Sequence, residues 1–215
     1  MAIKAILFNT EMVRAILEGR KSCTRRIVKP QQLIGMLPDK CKNGAPEKFL
    51  KEKKLMFKPY CDMTDIELIN TAYKAPYQPG DILYVRETWK KALNGYYYYE
   101  DWQRNDIADV TKWKPSIRMP KEAARIWLKV TDVRVERLQE MTLKDFKAEG
   151  IYDNYKTYSE TYTDHLRQMT YPKVFARLWN STIKKSDLDR YGWDANPWVW
   201  VIEFERCEKP EEISG

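Results

Sequence analysis

The sequence contains very few of the residues that build metal sites and disulfide frameworks. There is one histidine, His165, and the four cysteines at positions 23, 41, 61 and 207 show no Cys-x-x-Cys spacing. This combination disfavours a structural zinc site and is typical of reduced thiols in a cytosolic protein. We therefore expect neither a bound metal nor a cofactor.

Long apolar runs are also missing from the sequence. No stretch approaches the roughly 18 apolar residues that a membrane span requires, and residues 1–8 are too short for a leader and instead predict a strand. We therefore expect a soluble, cytoplasmic protein without a membrane partner. Nothing divides the 215 residues into two equal halves, so we expect a single domain covering residues 1–215. The oligomeric state is not predicted by any pattern in the sequence.

Positive charge and aromatic rings are, in contrast, abundant. Lysine and arginine number 38 against 31 aspartates and glutamates, which gives a formal net charge of +7, and there are 8 tryptophans and 14 tyrosines. An excess of cations favours an anionic partner, and flat rings between cations are suited to stacking on bases. We expect the partner to be a nucleoside or a nucleic acid, with RNA favoured.

The densest group of candidate functional residues is the segment 19–26, GRKSCTRR, with four cations and two hydroxyls. It follows residues 11–18, in which apolar side chains recur at helical spacing, and Gly19 is placed as a left-handed C-cap. The residues that lead to Pro30 predict an extended segment. A basic turn that only receives helix carbonyls is the alternative interpretation of such a cluster.

Alternating apolar residues predict four strands of one small β-barrel in an α+β fold. These strands are residues 3–8, 81–86, 126–135 and 198–204. A β-bulge is expected near Thr131, and the helix before Gly19 is expected to plug one end of the barrel. Proline-rich residues from about 30 to 78 predict a long irregular insertion, and residues from about 152 to 190 predict a helical one.

A compact helix is predicted between Thr142 and Gly150. Thr142 is the expected N-cap, Asp145 its capping-box partner and Gly150 the stop signal. Glu149 falls in the last turn, where the negative end of the helix dipole raises the proton affinity of a carboxylate. Glu149 is therefore a candidate acid or base.

Four motifs, taken together and in this order, resemble the ASCH family, specifically its larger phage- and prophage-type members. They are residues 16–26 ILEGRKSCTRR, 79–89 PGDILYVRETW, 148–150 AEG and 198–204 WVWVIEF. The resemblance implies a PUA-like fold, a small β-barrel with flanking helices, similar to domains that bind RNA or modified bases. In small bacterial members, a lysine, a threonine and a glutamate hydrolyse cytidine acetylated on its exocyclic amine, and by motif these correspond to Lys21, Thr24 and Glu149.

These three residue types suit amide cleavage without a metal. Thr24 can act as the nucleophile if Lys21 removes its proton, which requires burial or neighbouring cations to lower the pKa of the lysine. Glu149 can then protonate the departing amine. Family members that act on free nucleosides are much shorter than this chain, which disfavours a free nucleoside as the substrate.

Three functions stay open at the level of the sequence. The first is an amidohydrolase acting on an acylated cytidine or a related modified base. The second is an RNA- or single-stranded nucleic-acid-binding module without turnover, and the third is a ribonuclease that uses the same lysine and glutamate as acid and base.

Eight further residues are candidates for binding nucleic acid or substrate. Arginines are suited to binding phosphate groups, and tryptophans are suited to stacking on bases. Arg86 and Glu87 lie at the end of the predicted strand 81–86. For Arg86 and Glu87 a structural ion pair is the alternative. The eight are Arg20, Arg25, Arg26, Arg86, Glu87, Trp89, Trp113 and Arg118.

Overall fold

The computed structural model describes residues 1–29, 73–103, 112–151 and 160–211. The insertion predicted at residues 30–78 therefore lies almost entirely outside the described residues. The organisation of the chain as one domain with two insertions stays a prediction. Within the described ranges, no helix combines the length and the apolar composition that crossing a membrane requires.

A five-stranded sheet is the centre of the fold, and a two-stranded hairpin lies apart from it. In chain order the strands are β1 (Ile3–Leu7), β2 (Cys23–Ile27), β3 (Ile82–Arg86), β4 (Trp89–Ala92), β5 (Gly95–Tyr98), β6 (Trp127–Arg137) and β7 (Trp198–Cys207). The order across the large sheet is β1-β3-β6-β7-β2, with β1 and β3 parallel and the other neighbours antiparallel. The four predicted strands and the α+β class are confirmed.

Along the chain, the described helices lie between strands. In the described ranges the α-helices are α1 (Thr10–Leu17), α2 (Tyr99–Gln103), α3 (Leu143–Ala148), α4 (Glu160–Ser181) and α5 (Leu188–Tyr191). The chain leaves β5 after Tyr98 and continues directly into α2. The same described ranges contain four short 3-10 helices: Ser116–Arg118, Lys121–Ala123, Leu138–Glu140 and Lys185–Asp187.

Strand β7 is apolar on both faces because both faces of the sheet are covered. Trp200 and Ile202 lie in an apolar cluster that includes Ile16 of α1. Val199 and Val201 point the other way and pack with apolar residues of α3 and α4 in a second cluster. Each fully buried aliphatic side chain contributes about 1.5–3 kcal/mol, so the two clusters fix β7 between the helices.

The large sheet is not closed into the predicted barrel. Its edge strands, β1 and β2, are not hydrogen-bonded to each other. A side chain takes the place of backbone pairing here, because Arg26 Nη2 of β2 donates to the carbonyl oxygen of Leu7 at 3.1 Å. We call this opening between β1 and β2 the seam. The predicted bulge in β6 is confirmed, since the register with β7 shifts between Val130 and Asp132.

Candidate active site

Lys21 is positioned by the end of helix α1. Gly19 has a φ of +73°, the left-handed conformation predicted for the C-cap region. The chain then reverses, and the backbone N–H groups of Arg20 and Lys21 both donate to the carbonyl oxygen of Ala15, at 2.8 and 3.0 Å. Lys21 is therefore fixed against the last turn of α1, directly before β2.

Glu149 is positioned by the end of helix α3. Thr142 and Asp145 form the predicted capping box at its start, and Glu149 is the C-cap residue. The end of α3 is docked onto the residues before β2, because Ser22 N donates to Ala148 O at 2.9 Å and Lys21 pairs with Glu149 in an isolated antiparallel bridge. Two segments that are distant in the sequence thus meet at one point.

Lys21 and Glu149 form a buried ion pair there. Lys21 Nζ lies 2.5 Å from Glu149 Oε2, and it also donates to the backbone carbonyl oxygen of Glu149 at 3.0 Å. The exposed fractions of the two side chains are 0% and 4%. A charge pair this deeply buried is stable only when both members are present.

Arg25 binds the other oxygen of Glu149. Its Nη1 donates to Glu149 Oε1 at 3.2 Å, and its Nη2 lies 3.3 Å from both Glu136 Oε2 and Asp145 Oδ1. Arg134 extends this network, since its Nε donates to Glu136. Arg25 was predicted to bind substrate, but its side chain is fully buried and its charge is balanced by three carboxylates.

Thr24 lies on β2 beside a cavity of about 400 Å³. Its exposed fraction is 1%, and Glu149 also lines this cavity, whereas Lys21 is not a lining residue. The opposite wall comes from α4 and α5, with Trp179 and Tyr191. Among the described residues, no hydrogen bond joins the Thr24 hydroxyl to Lys21 or Glu149. We call this the first cavity.

Phe8 was missed by the sequence analysis. Its ring centroid lies 5.6 Å from Lys21 Nζ and 5.6 Å from Arg26 Cζ, so one aromatic ring contacts two cations. Phe8 is 3% exposed and follows directly after β1. Nothing in the sequence next to Phe8 indicates this role, because the two cations arrive from another segment.

The remaining residues of the basic segment have different environments. Arg20 joins the end of α1 to the end of α3, since its Nε donates to Glu18 Oε2 at 2.8 Å and its Nη1 to Gly150 O at 2.8 Å. Burial, with a further contribution from Glu149, raises the pKa of the Cys23 thiol to about 12, which disfavours the reactive thiolate form. Burial lowers the pKa of the Arg26 guanidinium.

Arg26 differs from its neighbours in having no described carboxylate within ion-pair distance. The hydrogen bond that the structure gives it goes to the neutral carbonyl of Leu7. It is half-buried and lines the first cavity. A cation that is only partly desolvated and lacks an acidic partner is suited to binding an anionic ligand.

The candidates near the end of β3 belong to a different part of the protein. Glu87 accepts two hydrogen bonds from Arg125, Nε to Oε1 and Nη2 to Oε2, both 2.9 Å. Glu87 therefore forms an ion pair with Arg125 and not with Arg86, so the predicted alternative of an Arg86–Glu87 pair is wrong. Arg86 instead donates to Ile117 O at 3.2 Å and to the hydroxyl of Tyr84 at 3.2 Å.

The two tryptophan candidates both have partners within the protein, a lysine for Trp89 and two aromatic rings for Trp113. Trp89 is 5% exposed, and Lys114 Nζ lies 5.0 Å from its ring centroid. Trp113 packs edge-on against Tyr99 and Trp102, with centroid distances of 5.4 and 5.9 Å. Arg118 is exposed at the end of a short 3-10 helix. None of Arg86, Glu87, Trp89, Trp113 and Arg118 lines the first cavity.

Gly150 is required for the approach of α3 to α1. Its φ is +92°, and an added Cβ would lie 2.8 Å from Ala15 Cβ and 3.3 Å from Lys21 Cβ. We expect Gly150→Ala to lower the free energy of unfolding by at least about 2 kcal/mol, because it adds both backbone strain and a clash. Urea denaturation measures this change.

Gly19→Ala is the matched control for Gly150→Ala. Gly19 also has a positive φ, but nothing lies within 4 Å of the added Cβ. Only the backbone cost of about 1–2 kcal/mol applies there. Equal destabilisation by the two substitutions would contradict the close packing of α3 against α1.

The fold and the site define an α+β protein with a buried Lys–Glu–Arg cluster next to a cavity at an open sheet edge. No protein-family model matches the sequence, and a search of curated proteins found no match. A structural comparison found similarity to the crystal structure of an ASCH domain from Lactobacillus crispatus JV V101, with a TM-score of 0.36 and 10% sequence identity. The match covers 95% of this chain and 79% of the other. At this TM-score it does not establish a common fold.

Proposed function

We propose that this protein is an amidohydrolase that removes the acyl group from an acylated cytidine or a related modified base. One observation carries the proposal: Lys21 and Glu149, 128 positions apart in the chain, form a fully buried pair, and Glu149 and Thr24 line the same cavity. The proposed nucleophile and acid thereby line one space, and the proposed base is hydrogen-bonded to the acid.

The first cavity suits a base as its occupant. Its volume of about 400 Å³ is within the usual range for small-molecule sites. Trp179 and Tyr191 supply flat aromatic surface, and Arg26 and Lys29 supply positive charge at its margin. Lys29 Nζ lies 5.1 Å from the ring centroid of Tyr191. Aromatic surface next to cations is what a nucleoside needs for stacking and for charge complementarity.

The proposed reaction has two stages. In the first, Lys21 Nζ accepts the proton of the Thr24 hydroxyl, and Oγ1 attacks the carbonyl carbon of the acyl group. The bond between that carbon and the exocyclic nitrogen breaks, and the nitrogen leaves with the electron pair and takes a proton from Glu149. In the second, water cleaves the acyl ester on Thr24, which releases the carboxylic acid and restores the hydroxyl.

The Lys21–Glu149 pair explains how the acid and base are connected. Lys21 can accept a proton only after giving one up, and Glu149 Oε2, 2.5 Å from Nζ, is the acceptor within reach. Because Lys21 does not line the cavity, the mechanism requires the pair to move towards Thr24 when substrate binds. Catalytic hydrogen bonds are commonly formed only in the substrate complex.

Substitution of Thr24 tests the proposal. We expect Thr24→Ala to lower turnover of N4-acetylcytidine by about 10²- to 10⁴-fold, because the nucleophile is lost, whereas Thr24→Ser keeps a hydroxyl and retains partial activity. Release of cytidine, followed by liquid chromatography, measures the effect. We expect turnover to survive a chelator, since the three side chains supply the nucleophile, base and acid.

A second candidate function is a nucleic-acid-binding module without turnover. It is favoured by the fact that both carboxylate oxygens of Glu149 are already engaged, by Lys21 and by Arg25, as in a structural cluster. In that case wild-type protein would bind RNA and release no cytidine from any acylated substrate. If incubation of the protein with RNA produced shortened RNA fragments, the protein would instead be a ribonuclease.

A further inference from the structure

We infer that a second cavity, on the far side of Arg26, binds a neighbouring nucleotide, so that the substrate is a single-stranded nucleic acid and not a free nucleoside. This inference rests on the proposed function, because it extends the same site. The second cavity also measures about 400 Å³. Its wall includes Arg26, Lys29, Tyr73, Lys74, Tyr77 and Trp200.

The two cavities adjoin each other along β2. Arg26, Ile27 and Lys29 line both of them. Among the described residues β2 is an edge strand of the sheet, so a ligand that follows β2 would reach both cavities. Two cavities of similar volume with a shared wall are better suited to two linked nucleotides than to one small molecule.

The shared wall is suited to the phosphate that links two nucleotides. Arg26 is half-buried, without a described carboxylate within ion-pair distance, and Lys29 is exposed. Lys74 adds a third cation to the second cavity, and no carboxylate is among its described lining residues. The first cavity, in contrast, includes Glu149 and Asp187. The second cavity is therefore the more strongly selective for an anion.

Aromatic residues give the second cavity a surface for a base. Tyr73 and Tyr77 are half-buried, and they pack against the apolar cluster to which the buried Trp200 belongs. Tyr77 is held against β1, because its hydroxyl donates to the carbonyl oxygen of Ala5 at 2.9 Å. Fixed rings next to cations are the combination by which proteins bind single strands without reading their sequence. An acidic peptide would satisfy the cations but would leave the rings without a stacking partner.

The test compares ligands of increasing length and needs no hydrolysis. Binding of cytidine 5′-monophosphate, the ribodinucleotide CpC and pentacytidylate is measured by isothermal titration calorimetry at several salt concentrations. We expect at least a tenfold gain in affinity from the mononucleotide to the dinucleotide. We also expect an acidic peptide of equal charge to bind at least tenfold more weakly than pentacytidylate.

Charge reversal at Lys74 locates the contact. Lys74 is exposed and lines the second cavity only, so Lys74→Glu is expected to fold normally, to bind pentacytidylate about tenfold more weakly and to reduce the salt slope by about 0.7 for one lost phosphate contact. Lys209→Glu is the control. Lys209 is exposed and follows the opposite end of β7 from Trp200, so its reversal should leave the salt slope unchanged.

Three results would overturn the second cavity as a nucleotide site. They are equal affinity for the mononucleotide and the dinucleotide, equal binding of the acidic peptide, and the same loss of affinity in the Lys74 and Lys209 variants. The proposed hydrolysis is judged separately, on acylated cytidine. A Lys21→Ala protein without turnover that still prefers the dinucleotide would support both proposals.

Discussion

Lys21→Ala is expected to lower the turnover of acylated cytidine by about 10²- to 10⁴-fold, the usual contribution of a positioned acid or base. The structure adds a reason for this loss. In the proposed mechanism Lys21 Nζ passes its proton to Glu149 and then accepts the proton of Thr24, and no other lysine lies within ion-pair distance of Glu149 in the described residues. The rate of cytidine release under saturating substrate measures the effect.

Lys21→Arg is the informative companion of Lys21→Ala. It keeps the positive charge next to Glu149, but a guanidinium does not give up its proton in the accessible pH range. We therefore expect no recovery of turnover. Circular dichroism of both variants establishes that they fold. Hydrolysis at the wild-type rate by folded Lys21→Ala protein would end the proposed mechanism.

The second large effect is expected on stability. Glu149→Ala should lower the free energy of unfolding by about 3–5 kcal/mol, because it leaves Lys21 and Arg25 buried without the carboxylate that lies between them. Glu149→Gln should cost less, since an amide oxygen can still accept one hydrogen bond. Urea denaturation of the three proteins gives the comparison.

An exposed ion pair provides the control for Glu149→Ala. Glu11 lies 3.6 Å from Arg14 on helix α1, with 69% of its side chain exposed. Glu11→Ala should change the unfolding free energy by less than about 1 kcal/mol, as is usual for exposed pairs. If Glu149→Ala is no more damaging than Glu11→Ala, the buried cluster is not what holds α3 against β2.

Local features of the fold were predictable because neighbouring residues determine them. The capping box at Thr142 and the left-handed conformation of Gly19 depend on side chains and backbone within one helical turn. The alternation in residues 198–204 predicted β7 for a similar reason, since successive side chains of a strand point to opposite faces. The bulge near Thr131 was also indicated by the sequence.

The role of Arg25 could not be predicted from local sequence patterns. In the sequence it is one of four cations in eight residues, equivalent to Arg26 for any binding argument. On β2 the two side chains point to opposite faces, so Arg25 meets Glu149, Glu136 and Asp145 and becomes part of a buried cluster. Which of two adjacent arginines is neutralised depends on strand direction and on the helix packed against that face.

The sequence by itself determined four strands of the large sheet, the helix ends at Gly19 and Thr142, and the residues around which a site could form, because these follow from short-range periodicity and capping. The tertiary structure alone decided that Lys21 meets Glu149, that Phe8 contacts both Lys21 and Arg26, and that β1 and β2 leave a seam. These contacts join different segments of the chain, and their geometry is set by the order of the strands in the sheet and by the docking of α1 and α3. No local pattern carries that information.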